Sequence, residues 1–148
     1  MLGEAEVATS RAAGLVQQLM TFATGGRPVR EPVKIPELLR QVLSEHRMGK
    51  PSIRFQFTCN ESDLRANVDR AQIRRVMENL LNNAESSMIG GGTLTVRCDV
   101  IDTNEASSYG KELPDDVDAY LLIEVSDTGS GMSQEVLSKA FDPYYSSR

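Results

Sequence analysis

Apolar residues recur at three- and four-residue intervals through Ile73, Val76, Met77, Leu80, Leu81, Ala84 and Met88. That spacing predicts a helix from about Asp69 to Met88 with one apolar face. Ala5, Ala8, Ala12, Leu15, Leu19 and Phe22 follow a similar alternation, predicting a helix over residues 4–24 with the seam spacing of helical bundles. Val16, Met20 and Ala23 widen that stripe, which implies more than one partner helix. The stripe also suits a single amphipathic helix folded onto the chain's own globular part. Gly25-Gly26-Arg27-Pro28 ends the helix and marks the domain boundary, because glycine caps a helix and proline cannot continue one.

Beyond that boundary the pattern changes. Glu31–Ile35 reads as a short edge strand, where Pro32 is tolerable. Pro36 fits the first turn of a helix over Glu37–Arg47. Ile53–Thr58 alternates and predicts a strand, and Leu64–Val68 a shorter one. Thr93–Val100 alternates strongly and pairs naturally with Tyr120–Val125 as an antiparallel hairpin. The polar, acidic stretch Thr103–Asp118 between them is expected to be a mobile loop at the far end of the sheet. Gly90-Gly91-Gly92 reads as a connector, since no lysine follows and a strand comes next. Ser133 is an N-cap candidate for a short helix with Val136 and Leu137 as its apolar positions.

Two segments carry candidate chemistry. Asp127-Thr128-Gly129-Ser130-Gly131-Met132 follows the apolar run that ends at Val125, so a strand gives way to a glycine-punctuated loop. Alternating glycines let a flat ligand approach the backbone closely. Asp127 can accept a hydrogen bond from an exocyclic amine, although the same residues also describe a plain turn after a strand. Upstream, Asn79 and Asn83 are four apart and share a helix face away from the apolar one. Asparagine is a mediocre helix former. Its amide oxygen suits a hard cation such as magnesium, and a polar solvated face is the plainer alternative.

Together with Phe141-Asp142-Pro143-Tyr144-Tyr145, these segments resemble a sensor histidine kinase. Gln72–Met88 resembles the N box of that family, Asp127–Met132 its G1 box and Phe141–Tyr145 its F box, in matching order and spacing. The resemblance implies an α+β fold, a two-layer α/β sandwich of the Bergerat type shared with gyrase B, Hsp90 and MutL, preceded by one bundle-type helix. It implies that Asn83 is the magnesium ligand and that Asp127 reads the adenine amino group. Gly129 and Gly131 shape the adenine pocket, Asn79 lies beside the phosphates, and Met132 and Phe141 complete the nucleotide contacts. ATP and Mg2+ are the implied cofactors. Residues 1–26 correspond to the second helix of the dimerisation domain and 27–148 to the catalytic domain, ending before the glycine-rich G2 box.

Composition narrows the classes. A net charge of −5 and a pI near 4.9 argue against a nucleic-acid binder. No stretch approaches the roughly 20 apolar residues of a membrane span, so direct membrane contact is not expected of this segment, and a cytoplasmic location is. A membrane anchor elsewhere in a longer parent stays open. Cys59 and Cys98 fall in strand-like runs and read as buried apolar residues of a reducing compartment. His46, the only histidine, ends a helical pattern and reads as a surface or helix-end residue, not as a phosphoacceptor.

The resulting expectation is the ATP-binding core of a two-component kinase. In the intact protein, taken as a homodimer, the γ-phosphoryl passes to a histidine of the dimerisation domain and then to an aspartate on a response-regulator receiver domain. No catalytic residue is assigned within the chain. With no phosphoacceptor histidine or G2 box in view, the chain is not expected to phosphorylate itself. An ATP hydrolase of the same fold is the first alternative. Such relatives carry a glutamate four residues before the magnesium asparagine, where this chain has Asn79 with Glu78 about 100° away around the helix. A non-catalytic dimerisation or nucleotide-binding fragment is the second, and an anti-sigma-type serine kinase is a minor one.

Overall fold

A computed structural model describes residues 27–110, 113–114 and 116–139. The helix expected over residues 4–24 and the Phe141–Tyr145 segment, with the site role expected of Phe141, lie outside the described residues. Within them, β1 (Glu31–Lys34) pairs antiparallel with β3 (Arg65–Val68) as a two-stranded sheet. Pro32 sits on β1, where its missing N–H costs no second ladder. A separate three-stranded sheet runs in the order β2 (Ile53–Cys59), β4 (Gly92–Asp102), β5 (Ala119–Asp127). The expected hairpin is present: β4 and β5 are antiparallel, with Leu94 opposite Asp127 and Val96 opposite Val125. β2 runs parallel to β4, a pairing the strand patterns do not announce. Parallel neighbours need a crossover, and β3 with α2 (Arg70–Ser87) supplies it.

The helices form the second layer. α1 (Ile35–His46) begins two residues before the expected Glu37, and Pro36 occupies its first turn. Its buried Ile35, Leu38, Leu39, Val42 and Leu43 meet Met77, Leu81, Ala84 and Met88 from α2 and its C-terminal end. Period-two alternation puts Leu94, Val96 and Cys98 of the central strand into the same core. Phe55 and Phe57 of β2 and Leu121, Ile123 and Val125 of β5 flank them half-buried. The arrangement is a two-layer α+β sandwich.

Three expectations need correction. Val76 and Leu80, counted in the apolar face of α2, are 53% and 40% exposed. The stripe is wider than the core that α1 and the sheet offer it. Cys98 is fully buried, and burial first, with Cys59 second, pushes its thiol up to about 12. Cys59, by contrast, is only half-buried. Finally, the acidic stretch after β4 opens with a helical turn, α3 (Thr103–Ala106), capped by the Asp102 side chain accepting from Glu105 N at 2.8 Å. Ile101 and Ala106 are buried outside the main core. Ile101 is an odd number of residues from Cys98, so it faces the other side of the sheet.

Candidate functional site

The start of α2 is fixed by one carboxylate. Asp69 Oδ1 accepts from Ala71 N at 3.0 Å and Gln72 N at 3.1 Å, and Oδ2 accepts from Val29 N at 2.9 Å. The Gln72 amide foremost, then that of Val29, holds the Asp69 carboxyl below the ordinary aspartate range. The cap sets where each later residue of α2 points.

From that start Asn79, Asn83 and Ser87 fall at i, i+4 and i+8, a slowly winding stripe on one face. At 1.5 Å per residue, Asn83 stands about 6 Å and Asn79 about 12 Å back along the axis from Ser87. Both asparagines are exposed. Ser87 is where the helix meets the glycine loop that follows β5. Its hydroxyl lies 2.9 Å from Asp127 Oδ1, and the Gly129 N–H donates to the same oxygen at 2.8 Å. The Ser130 N–H donates to the Ser87 carbonyl at 3.2 Å.

Two more bonds pin the loop to the sheet. Thr128 N donates to Thr93 O at 3.2 Å, and Thr93 N donates back to Thr128 Oγ1 at 3.0 Å. Gly129 is required by contact: a Cβ there would come within 2.6 Å of both Cβ and the carbonyl oxygen of Ser87. Gly131 is required by conformation, since its φ of 72° lies in the left-handed region. Met132 is 63% exposed just beyond. Ser133 Oγ then accepts from Val136 N at 3.3 Å, the expected cap of α4 (Gln134–Lys139), although Leu137 is half exposed and no α4 residue is buried.

The fold therefore brings Asp127 and Gly129 directly against α2 and places Asn79 and Asn83 on the stripe leading away from them. Gly131 and Met132 lie in the same loop. Sequence reasoning missed Ser87. Ser87 continues the four-residue spacing of the two asparagines, but nothing in that spacing ties it to Asp127, forty residues away.

Chemically, Asp127 Oδ1 accepts from the Gly129 N–H and has the Ser87 hydroxyl within hydrogen-bond reach, and Oδ2 is the carboxylate's second acceptor oxygen. The exposed amide oxygens of Asn79 and Asn83 have the hardness and access that a partly hydrated magnesium ion needs.

Other polar groups of α2 face α1. Arg74 bridges Glu45 of α1 and Glu78, the latter at 3.0 Å. Glu78 thus lines a shallow cleft with Val42, Glu45, His46 and Asn82. His46 does end α1, as expected, but it is not a surface residue. Its side chain is 10% exposed, with Nε2 2.8 Å from Glu85 Oε1, and Lys50 Nζ lies 2.6 Å from the same oxygen.

The family described as "Histidine kinase-, DNA gyrase B-, and HSP90-like ATPase" matches residues 68–148. Sensor kinase CckA of Brucella abortus is 32% identical over 94% of this chain and 15% of its own length. The sensory histidine kinase/phosphatase NtrB of Rhodobacter capsulatus is 26% identical over 95% of this chain and 39% of its own length. The chain thus spans well under half of either relative. Among solved structures, histidine kinase ThkA in complex with response regulator protein TrrA has a TM-score of 0.66 at 23% identity, covering 95% of this chain and 38% of that one. Acinetobacter baumannii histidine kinase AdeS has a TM-score of 0.65 at 18% identity, covering 96% and 62%. These two likenesses establish the sandwich fold.

Proposed function

Because the chain belongs to the histidine kinase-, DNA gyrase B- and HSP90-like ATPase family, we propose that it is the ATP-binding core of a two-component sensor histidine kinase. The observation that carries this reading is the Asp127 carboxylate, anchored at the C-terminal end of α2 on the helix stripe that also bears Asn83. Asp127 Oδ2 accepts from the adenine amino group. Gly129 and Gly131 let the ring lie against the backbone, and Met132 covers its edge. A nucleotide laid along the stripe carries its phosphates past Asn83 towards Asn79.

Asn83 would hold a magnesium ion, whose chemistry there would be charge neutralisation at the phosphates. The rest of the work is positioning, which is most of what phosphoryl transfer asks of a protein. In the intact, dimeric protein the γ-phosphoryl goes to a histidine of the dimerisation domain and then to a response-regulator receiver domain. The ThkA–TrrA complex supports that partner class. His46 is unsuited as the acceptor, because its ring is largely buried and engaged with Glu85.

Hydrolysis is the weaker reading. Glu78, the nearest candidate base for water, is held by Arg74 on the α1 side of the helix. The test is calorimetric titration of ADP against GDP on the wild-type chain. ADP binding with clear preference over GDP supports the reading. Equal binding of the two, or none, overturns it.

A further inference from the structure

Asp127 can read an exocyclic amine only if its carboxylate is aimed. The Ser87 hydroxyl has one proton and two acceptors in reach, Asp127 Oδ1 at 2.9 Å and its own helix's Ala84 carbonyl at 2.7 Å. Bonding to a carbonyl three residues back is the ordinary fate of a helical serine. Here the carboxylate competes for the same proton, and a bond to an ionised acceptor is the stronger of the two. The Gly129 N–H shares Oδ1 with it. A carboxylate held on one oxygen from two directions cannot turn freely, so Oδ2 is presented in a fixed orientation.

We propose that Ser87 is a positioning residue that sets purine selectivity, by holding Asp127 so that Oδ2 faces an exocyclic amine and repels the keto oxygen that guanine carries at the same edge. This rests on the adenine-reading role of Asp127. Ser87 touches no ligand in this account and acts only through Asp127.

The experiment titrates ADP and GDP into the wild-type chain, Ser87→Ala, Asp127→Asn and the double variant. Alanine is a good helix former, so the substitution spares α2. The ADP-to-GDP affinity ratio is independent of the fraction of folded protein. Ser87→Ala should weaken ADP by about three- to tenfold, the scale of one hydrogen bond, and lower the ADP-to-GDP ratio. In the Asp127→Asn background the same change should have little further effect, a coupling that two independent structural losses do not produce. An unchanged ratio in Ser87→Ala, or additive losses in the double variant, overturns the proposal. If the wild-type chain itself shows no ADP preference, the adenine reading fails first.

Discussion

At the Ser87 end of α2, side chain and backbone close on the glycine loop together, through Asp127, Gly129 and Ser130. At Asn83 and Asn79, one and two turns earlier, the same helix face stands in solvent. The first region is built before any ligand arrives and the second is not. Pre-organised donors and acceptors bind at little ordering cost, whereas free side chains must first be immobilised. The adenine end should therefore supply most of the affinity, and the phosphate end should depend on the cation.

The sharpest way to break this contrast is at its built end. Asp127→Asn removes the charge from the acceptor facing the exocyclic amine, a bond worth roughly 1.5–3 kcal/mol. ADP should bind about ten- to a hundredfold more weakly by calorimetry. Unchanged affinity would remove Asp127 from the site.

Gly129→Ala acts on the same end through packing. Its Cβ would press on Ser87 Cβ and carbonyl oxygen, so the loop must move off α2 at a cost of about 1–3 kcal/mol. Both the melting temperature and ADP affinity should fall, with the Ser130 amide losing its protection from hydrogen exchange. A variant that melts and binds as wild type would mean the close approach is not real.

Asn83→Ala tests the open end. Magnesium should no longer change ADP affinity, while affinity measured in chelator stays within about twofold of wild type. Loss of magnesium-free binding as well would show that Asn83 serves the adenine end.

The smallest effect belongs to the cap. Asp69 has its carboxyl pKa lowered on folding, so its stabilisation is present above its unfolded value, about 3.9, and is lost as pH falls through the lower folded value. Asp69→Ala should lower the melting temperature by a few degrees at pH 7. The difference from wild type should shrink below about pH 4, with ADP affinity nearly unchanged. An equal difference at every pH would separate the effect from ionisation.

Much of this contrast is legible in the sequence, unevenly. Periodicity locates α2, and Asn79 and Asn83 stand out because an amide is a poor choice for an exposed helix interior. Asp127 is legible from its place where an apolar strand meets glycines. Ser87 is not, because Ser86-Ser87 at a helix end reads as an ordinary polar terminus. Its importance comes from Asp127, forty residues away. The parallel pairing of β2 with β4 is hidden for the same reason, since a half-buried edge strand alternates alike in either direction. Val76 and Leu80 show the converse: spacing assigns residues to a face but does not say how much of that face a core will cover.

Titrating adenosine, ADP and ATP into the chain, with and without magnesium, measures how much of the binding the adenine end supplies. Adenosine should bind measurably, and ADP and ATP affinities should lie within a few-fold of each other. Dissociation constants towards 1 mM, about −4 kcal/mol, are what an adenine pocket can supply. Micromolar ATP affinity with a large preference over ADP, or no binding of adenosine at all, would contradict a dominant adenine end, because the phosphate end would then be the one that holds the nucleotide.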